Sequence, residues 1–278
     1  MKRFASLIVA TSVVATCLAG LLGGVSAASA APTLPTLNLA LTGTTGISVS
    51  GSEVSGAVNV VSTFTGKGQG GAALVRLNPA LPASQALAQG FQAVESHHGD
   101  LNALTALGDA LVFDGGAPGT AQTVLTPGAW VALNVTGNGN PAFMPFTVSQ
   151  SASPAALPTP GGTVATIEFG FRGASVLHRG ELVRFENDGY LVHMVVGIQV
   201  KNRAVAAAET TALRAGNDKL AMRLASGTVN FAGPLSPGGM QQEVISAKPG
   251  VYVLACFMNT QDGREHTQIG MERTITVR

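Results

Sequence analysis

Cysteine is scarce: the 278 residues contain two, and one of them, Cys17, lies in an apolar stretch at the N-terminus. Lys2 and Arg3 precede that stretch, which runs from Phe4 to about Leu22 and is followed by Ala28, Ser29 and Ala30, small residues where a signal peptidase reads. Residues 1–30 are therefore expected to be a cleaved signal peptide, and Cys17 to leave with it. Glycines and small residues interrupt the stretch before it reaches a comfortable membrane span, which disfavours a retained anchor. The mature chain then keeps one thiol, Cys256, in an export compartment where disulfides form, and it cannot close an internal one. That thiol is a small buried hydrophobe, a crosslink between two chains or a metal ligand, and composition does not choose among the three.

Charge is scarce too. Charged residues make up 11% of the chain, with 16 basic and 15 acidic side chains scattered along it for a net charge of +1. That excludes the basic surface a nucleic-acid partner would need. After the leader no apolar run is long enough to span a membrane. Hydrolytic and nucleotide-dependent chemistry lack their signatures: there is no G-x-S-x-G elbow, H-E-x-x-H pair, P-loop or framed pair of carboxylates.

The sequence has in abundance what turns require. With 35 glycines, 14 prolines and 46% hydrophobic residues, it has the composition of an exported all-β protein. Residues 31–45 form a Pro/Thr/Gly tail expected to be a flexible linker. A second shift in composition, "SQSASPAALPTPGG" from Ser149 to Gly162, marks a linker over 151–162 between domains at 46–150 and 163–278.

The two domains echo each other. "FDGGAPGTAQTVLTPGAWVALN" (Phe113 to Asn134) and "FAGPLSPGGMQQEVISAKPGVYVLAC" (Phe231 to Cys256) share phenylalanine, Pro-Gly pairs, glutamine and an aromatic–valine strand. Asn134 ends the first where Cys256 ends the second. Upstream, Val60 to Asn78 and Leu182 to Val200 each give two apolar strands about a turn, followed by the alanine-rich, helix-prone stretches Ala83 to Val94 and Ala204 to Leu213. A tandem β-sandwich repeat is expected.

In the second copy a thiol at a strand end, a histidine after a polar loop and a methionine five residues later can converge on one soft metal ion. A second histidine, His193 in "YLVHMVV", would have to join them from a neighbouring strand. Two imidazoles and a thiolate with a weak axial thioether form the donor set of blue copper. With its histidine after the "FENDG" turn and its "CFMNTQDGREHTQIGM" loop, the segment 163–278 resembles the cupredoxins, the plastocyanin and azurin superfamily. The resemblance implies two tandem cupredoxin-like Greek-key β-sandwiches with short helical insertions. It also implies one type 1 copper held by His193, Cys256 and His266, with Met271 axial. Four residues separate His266 from Met271, the azurin-like spacing, whereas nine separate Cys256 from His266, more than in small blue proteins.

By the same resemblance the protein carries electrons or handles copper outside the cytoplasm and meets a redox partner protein. The other reading is a metal-free extracellular β-sandwich that displays loops to a partner. No enzyme activity is expected, because the alternating H-x-H pairs of multicopper oxidases are absent and five histidines are too few for the second copper of a nitrite reductase. His97 and His98 in "ESHHGD" are a weaker candidate metal pair, and His178 in "LHRGE" is expected to sit in a turn. The 46–150 copy offers Asn134 for the thiol, no histidine in "GGAALVRL" and only Met144 in its last loop, so it is expected to hold no metal.

Overall fold

A computed structural model describes residues 33–68, 70–114, 119–137 and 141–278. The leader expected over residues 1–30 lies outside them. The N-terminal part contains β1 (Thr36–Thr42), β2 (Gly46–Gly51), β3 (Gly56–Thr65) and β4 (Ala72–Arg76), then helices α1 (Ala83–Ser96) and α2 (Asn102–Ala106). It continues with β5 (Ala110–Asp114), β6 (Gly119–Leu125), β7 (Gly128–Asn134) and β8 (Ala142–Val148). The C-terminal part begins with β9 (Gly162–Ile167), β10 (Gly170–Gly173), β11 (Val176–Leu177), β12 (Leu182–Asn187) and β13 (His193–Val200). Helices α3 (Arg203–Arg214) and α4 (Asp218–Leu224) precede β14 (Ala225–Leu235), β15 (Met240–Val244), β16 (Gly250–Ala255) and β17 (Glu272–Val277).

Among the described residues these form three sheets, ordered β5-β4-β7-β8, β11-β17-β16-β13-β14 and β10-β9-β12-β15-β6-β3-β1-β2. Pairings correspond between the two parts. Strand β1 runs antiparallel to β2 and parallel to β3, as β9 does to β10 and β12, and β4 lies between β5 and β7 as β13 lies between β14 and β16. The long sheet joins the parts through one register pair, Gln122↔Gln242. The Gln242 amide donates to Gln122 Oε1 (3.2 Å), and Thr123 Oγ1 donates to the Met240 carbonyl (2.6 Å).

The segment expected to be a flexible linker, residues 31–45, instead contributes β1 to the long sheet. Leu37, Leu39 and Leu41 alternate with Asn38 and Ala40, and the three leucines are buried beside Trp130. The period-2 pattern overrides the Pro/Thr/Gly composition around it. A domain beginning at residue 46 would therefore lose three core side chains. The 151–162 segment carries no regular structure before β9, but it is held by backbone bonds from Ala57 to the Ala155 carbonyl and from Gly161 to the Leu182 carbonyl, both 2.8 Å.

The helix-prone stretches do form helices, and those helices explain the unbroken apolar runs. On β16, Tyr252 and Leu254 point into the sandwich with Cys256, which follows the strand, against Phe185 and Phe231. Val253 and Ala255 point the other way, against Ala206, Ala212 and Leu213 of α3. Strands β4 and β7 are covered likewise by Ala86 and Leu87 of α1. A strand buried on both faces shows no polar alternation.

Candidate metal centre

Each candidate ligand is placed by a local device. Asn187, at the end of β12, is 1% exposed. Its amide donates to the Leu191 and Leu235 carbonyls (2.7 Å each), while its Oδ1 accepts from Gly189 N (3.0 Å) and Thr166 Oγ1 (3.2 Å). The turn after it delivers His193 to the first position of β13. Cys256 follows β16 directly. His266 opens a 3₁₀ turn, His266–Ile269, closed by Gly270 at φ 103°, a left-handed conformation that favours glycine. Met271 N donates to the His266 carbonyl (3.0 Å) and Cys256 N to the Met271 carbonyl (3.4 Å), so the thiol and thioether residues share one hydrogen-bonded corner.

The nine-residue excursion between Cys256 and His266 does not carry the histidine away. Asn259 bridges Glu265, Gly263 N donates to the Thr260 carbonyl (2.9 Å) and Thr260 N donates to the Arg264 carbonyl (2.8 Å). Arg264 also pairs with Asp262 at 2.7 Å. The extra residues are thus looped out as a tight hairpin, and His266 N returns to the Met258 carbonyl at 2.8 Å.

His193, Cys256 and His266 converge at the end of the sandwich, the one group of three or more metal-type ligands found among the described residues. The two Nδ1 atoms are 3.2 Å apart, and Cys256 Sγ lies 3.4 Å from His266 Nδ1 and 3.8 Å from His193 Nδ1. A circle through three points with those sides has a radius of about 2 Å, close to a metal–imidazole bond of ~2.0–2.1 Å. All three residues and Met271 are buried.

Burial sets the protonation states. Desolvation, with His266 as a like-charged neighbour and Glu168 opposing, pushes His193 down to about 4. Desolvation does the same to His266, to about 4, against the pull of Asp100. The Cys256 thiol is pushed up to about 12, again chiefly by desolvation, although backbone N–H groups of Met194 and Met258 favour the thiolate. At neutral pH both imidazoles are therefore neutral and present lone pairs. Each buried Nε2 lacks a hydrogen-bond partner, so nothing polar competes to turn the Nδ1 edges away from each other. Two imidazoles, one thiol and a buried thioether suit a soft or borderline cation, and the set fits one type 1 copper.

A pH dependence follows with a definite sign. Only the thiol has a proton to lose on metal binding near neutrality, so one proton should leave per copper and apparent affinity should rise about tenfold per pH unit between pH 5 and 8. Below about pH 4 the two histidines also hold protons, and the slope should steepen. Competition with a chelator across this range measures both.

The weaker candidates go elsewhere. His97 is exposed at the end of α1, its Nδ1 2.7 Å from the Ala93 carbonyl, and His98 sits in a left-handed turn at φ 57°. His178 is a turn residue whose N–H donates to Glu181 Oε2 at 3.0 Å. Asn134 is buried where the thiol stands in the other part, but its amide donates to the Gly43 and Gly46 carbonyls (3.1 and 2.7 Å), fastening the β1–β2 turn. Met144 lies on β8 opposite Ala132 and is 38% exposed, in a sheet whose strands carry no histidine or cysteine.

Sequence reasoning did not find Phe169, whose ring stands edge-on to His266 at 5.2 Å, or Asp100 and Asn102, which reach the site from the N-terminal part. No local pattern marks them, because their partners lie far away in the chain.

Strand order and ligand convergence decide the architecture. The fold is cupredoxin-like. Neither a protein-family model nor a curated protein matches the sequence. Among solved structures the cupredoxin-like chain is similar to auracyanin B, at 22% identity over 44% of this chain and 92% of that one, with a TM-score of 0.27. It is also similar to a dithionite-reduced auracyanin from Roseiflexus castenholzii, at 22% identity over 42% of this chain and 94% of that one, TM-score 0.25. A copper nitrite reductase from Nitrosomonas europaea matches at 11% identity over 87% of this chain and 93% of that one, TM-score 0.23. Such TM-scores carry no weight beside the chain's own strand pairings.

Proposed function

We propose that this protein is an exported electron carrier or copper handler, in which His193, Cys256 and His266, with the Met271 thioether, would hold one copper ion. The single observation behind this reading is the buried triangle of two Nδ1 atoms and one Sγ, with neither imidazole Nε2 held by a hydrogen-bond partner. Bound copper supplies one-electron chemistry. The residues supply the rest: the Asn187 clamp and the 3₁₀ turn hold the imidazoles in place before metal arrives, and the apolar corner excludes water. A set that need not rearrange lowers the reorganisation a change of oxidation state demands.

Two tandem copies divide the work in this reading. The copy ending at Val277 binds copper, and the copy before residue 151, with Asn134 hydrogen-bonded in place of a thiolate, holds none. The N-terminal leader supports export, and no helix among the described residues is long and apolar enough to cross a membrane. Around the site, Tyr190 is 85% exposed in the turn before His193, and Phe169 against His266 is 37% exposed. These apolar groups offer a redox partner protein its shortest approach to the ligands.

Cyclic voltammetry of the copper-loaded protein tests electron carriage: a reversible one-electron wave without loss of metal is expected, and irreversible metal release on reduction would contradict it. Met271→Gln should lower the reduction potential with copper still bound, since a thioether favours Cu(I) more than an amide oxygen does. An unchanged potential would remove Met271 from the coordination sphere.

A further inference from the structure

We propose that the turn formed by residues 97–102 in the N-terminal part is a working component of the metal centre, with Asn102 and Asp100 as positioning residues for its ligands. The proposal rests on the copper reading above. Asp100, 3% exposed, accepts through Oδ1 from both Asn102 N (2.9 Å) and Asn102 Nδ2 (2.6 Å). Those two bonds orient the amide, leaving Asn102 Oδ1 to accept from Val192 N at 2.6 Å. Val192 directly precedes His193. A residue 90 positions upstream thus fixes the backbone that delivers a ligand.

The same turn grips the Cys256–His266 excursion. Asn259 Nδ2 donates to the His98 carbonyl at 2.9 Å, and Gly263 lies beside His98, with room for an added Cβ in ordinary contact at 3.4 Å from His98 Cβ. Leu101 packs against both the C-terminal sandwich core and the layer beneath α1. Beside these contacts a cleft of about 330 Å³ opens between Asp100, Asn102 and Thr260–Arg264. The turn and the hairpin are therefore held by a few specific bonds and one apolar plug, and not by a continuous interface. This gives the long excursion a purpose: looped out as a hairpin, it meets the N-terminal part and ties His193 and His266 to the same external turn.

The test uses the full chain loaded with copper. Asn102→Ala should weaken copper binding ~10–100-fold, the range for lost outer partners of a metal ligand, and shift the visible spectrum. Asp100→Ala removes the acceptor that orients the Asn102 amide and should weaken copper binding in the same direction, by less than Asn102→Ala does. The charge-conserving exchange of Asp100→Asn with Asn102→Asp rebuilds a donor–acceptor pair beside Val192 and should recover most of the affinity. If Asn102→Ala does not fold, the affinity and spectrum of Asp100→Ala decide. Copper-loaded variants with wild-type affinity and spectrum would show the turn to be mere packing. A wild-type chain that takes up no copper would instead sink the reading on which the proposal rests.

Discussion

Replacing Cys256 with serine abolishes the intense visible band expected of the copper-loaded protein. The band needs a thiolate bonded to copper, and nothing else in the described chain can provide one, because Cys256 is the lone free cysteine there and is fully buried. Without metal that thiol, pushed up to about 12, keeps its proton at any physiological pH. A cation between the imidazoles reverses the preference by taking the place of the proton. Serine matches the shape but has no thiolate to give. The two histidines persist in the variant, so it is expected to bind copper more weakly and without colour. Absorption and metal analysis together separate this outcome from simple unfolding, and a variant that keeps the band would move the chromophore away from Cys256.

The second large effect is on stability. Phe231 is fully buried, stacked on Phe185 at 5.5 Å between ring centroids and edge-on to Tyr252 at 6.1 Å. It joins the two sheets of the C-terminal sandwich beneath the ligands. Gly197 faces it so closely that an added Cβ would fall 2.4 Å from Phe231 Cε2, so β13 is shaped around this ring. Phe231→Ala removes the ring from a site whose strands cannot close in, and should cost about 3–5 kcal/mol. The melting temperature of the metal-free protein should fall by something on the order of 10 °C. A loss under ~1 kcal/mol would mean that the corner collapses readily and is not the stiff support that the copper site requires.

The C-terminal copy was legible in the sequence to an unusual degree. Cys256, His266 and Met271 lie within sixteen residues, just past one strand, at the head of one turn and just before the next strand, so local order carried their convergence. His193 was legible because a histidine after a polar turn, at the head of an apolar strand, stands out. Strand β1 was misjudged because its three leucines sit among prolines, threonines and glycines, and composition hid a period of two. Asp100 and Asn102 were invisible for a different reason. Their role exists only once the β6–β15 junction brings the two parts together, and single-chain periodicity holds no trace of a contact 90 residues away. The length of the Cys256–His266 excursion was visible, but its hairpin path was not, since that depends on the Asn259–Glu265 bridge and on the turn it meets.

Titration of the purified full-length chain with copper, followed by visible absorption and metal analysis, tests the central claim most directly. One equivalent of copper should bind per chain, with an intense thiolate-to-copper band saturating at that same equivalent. A chain that takes up no stoichiometric copper in either oxidation state, or that binds copper with no such band when oxidised, would contradict a centre built from His193, Cys256 and His266.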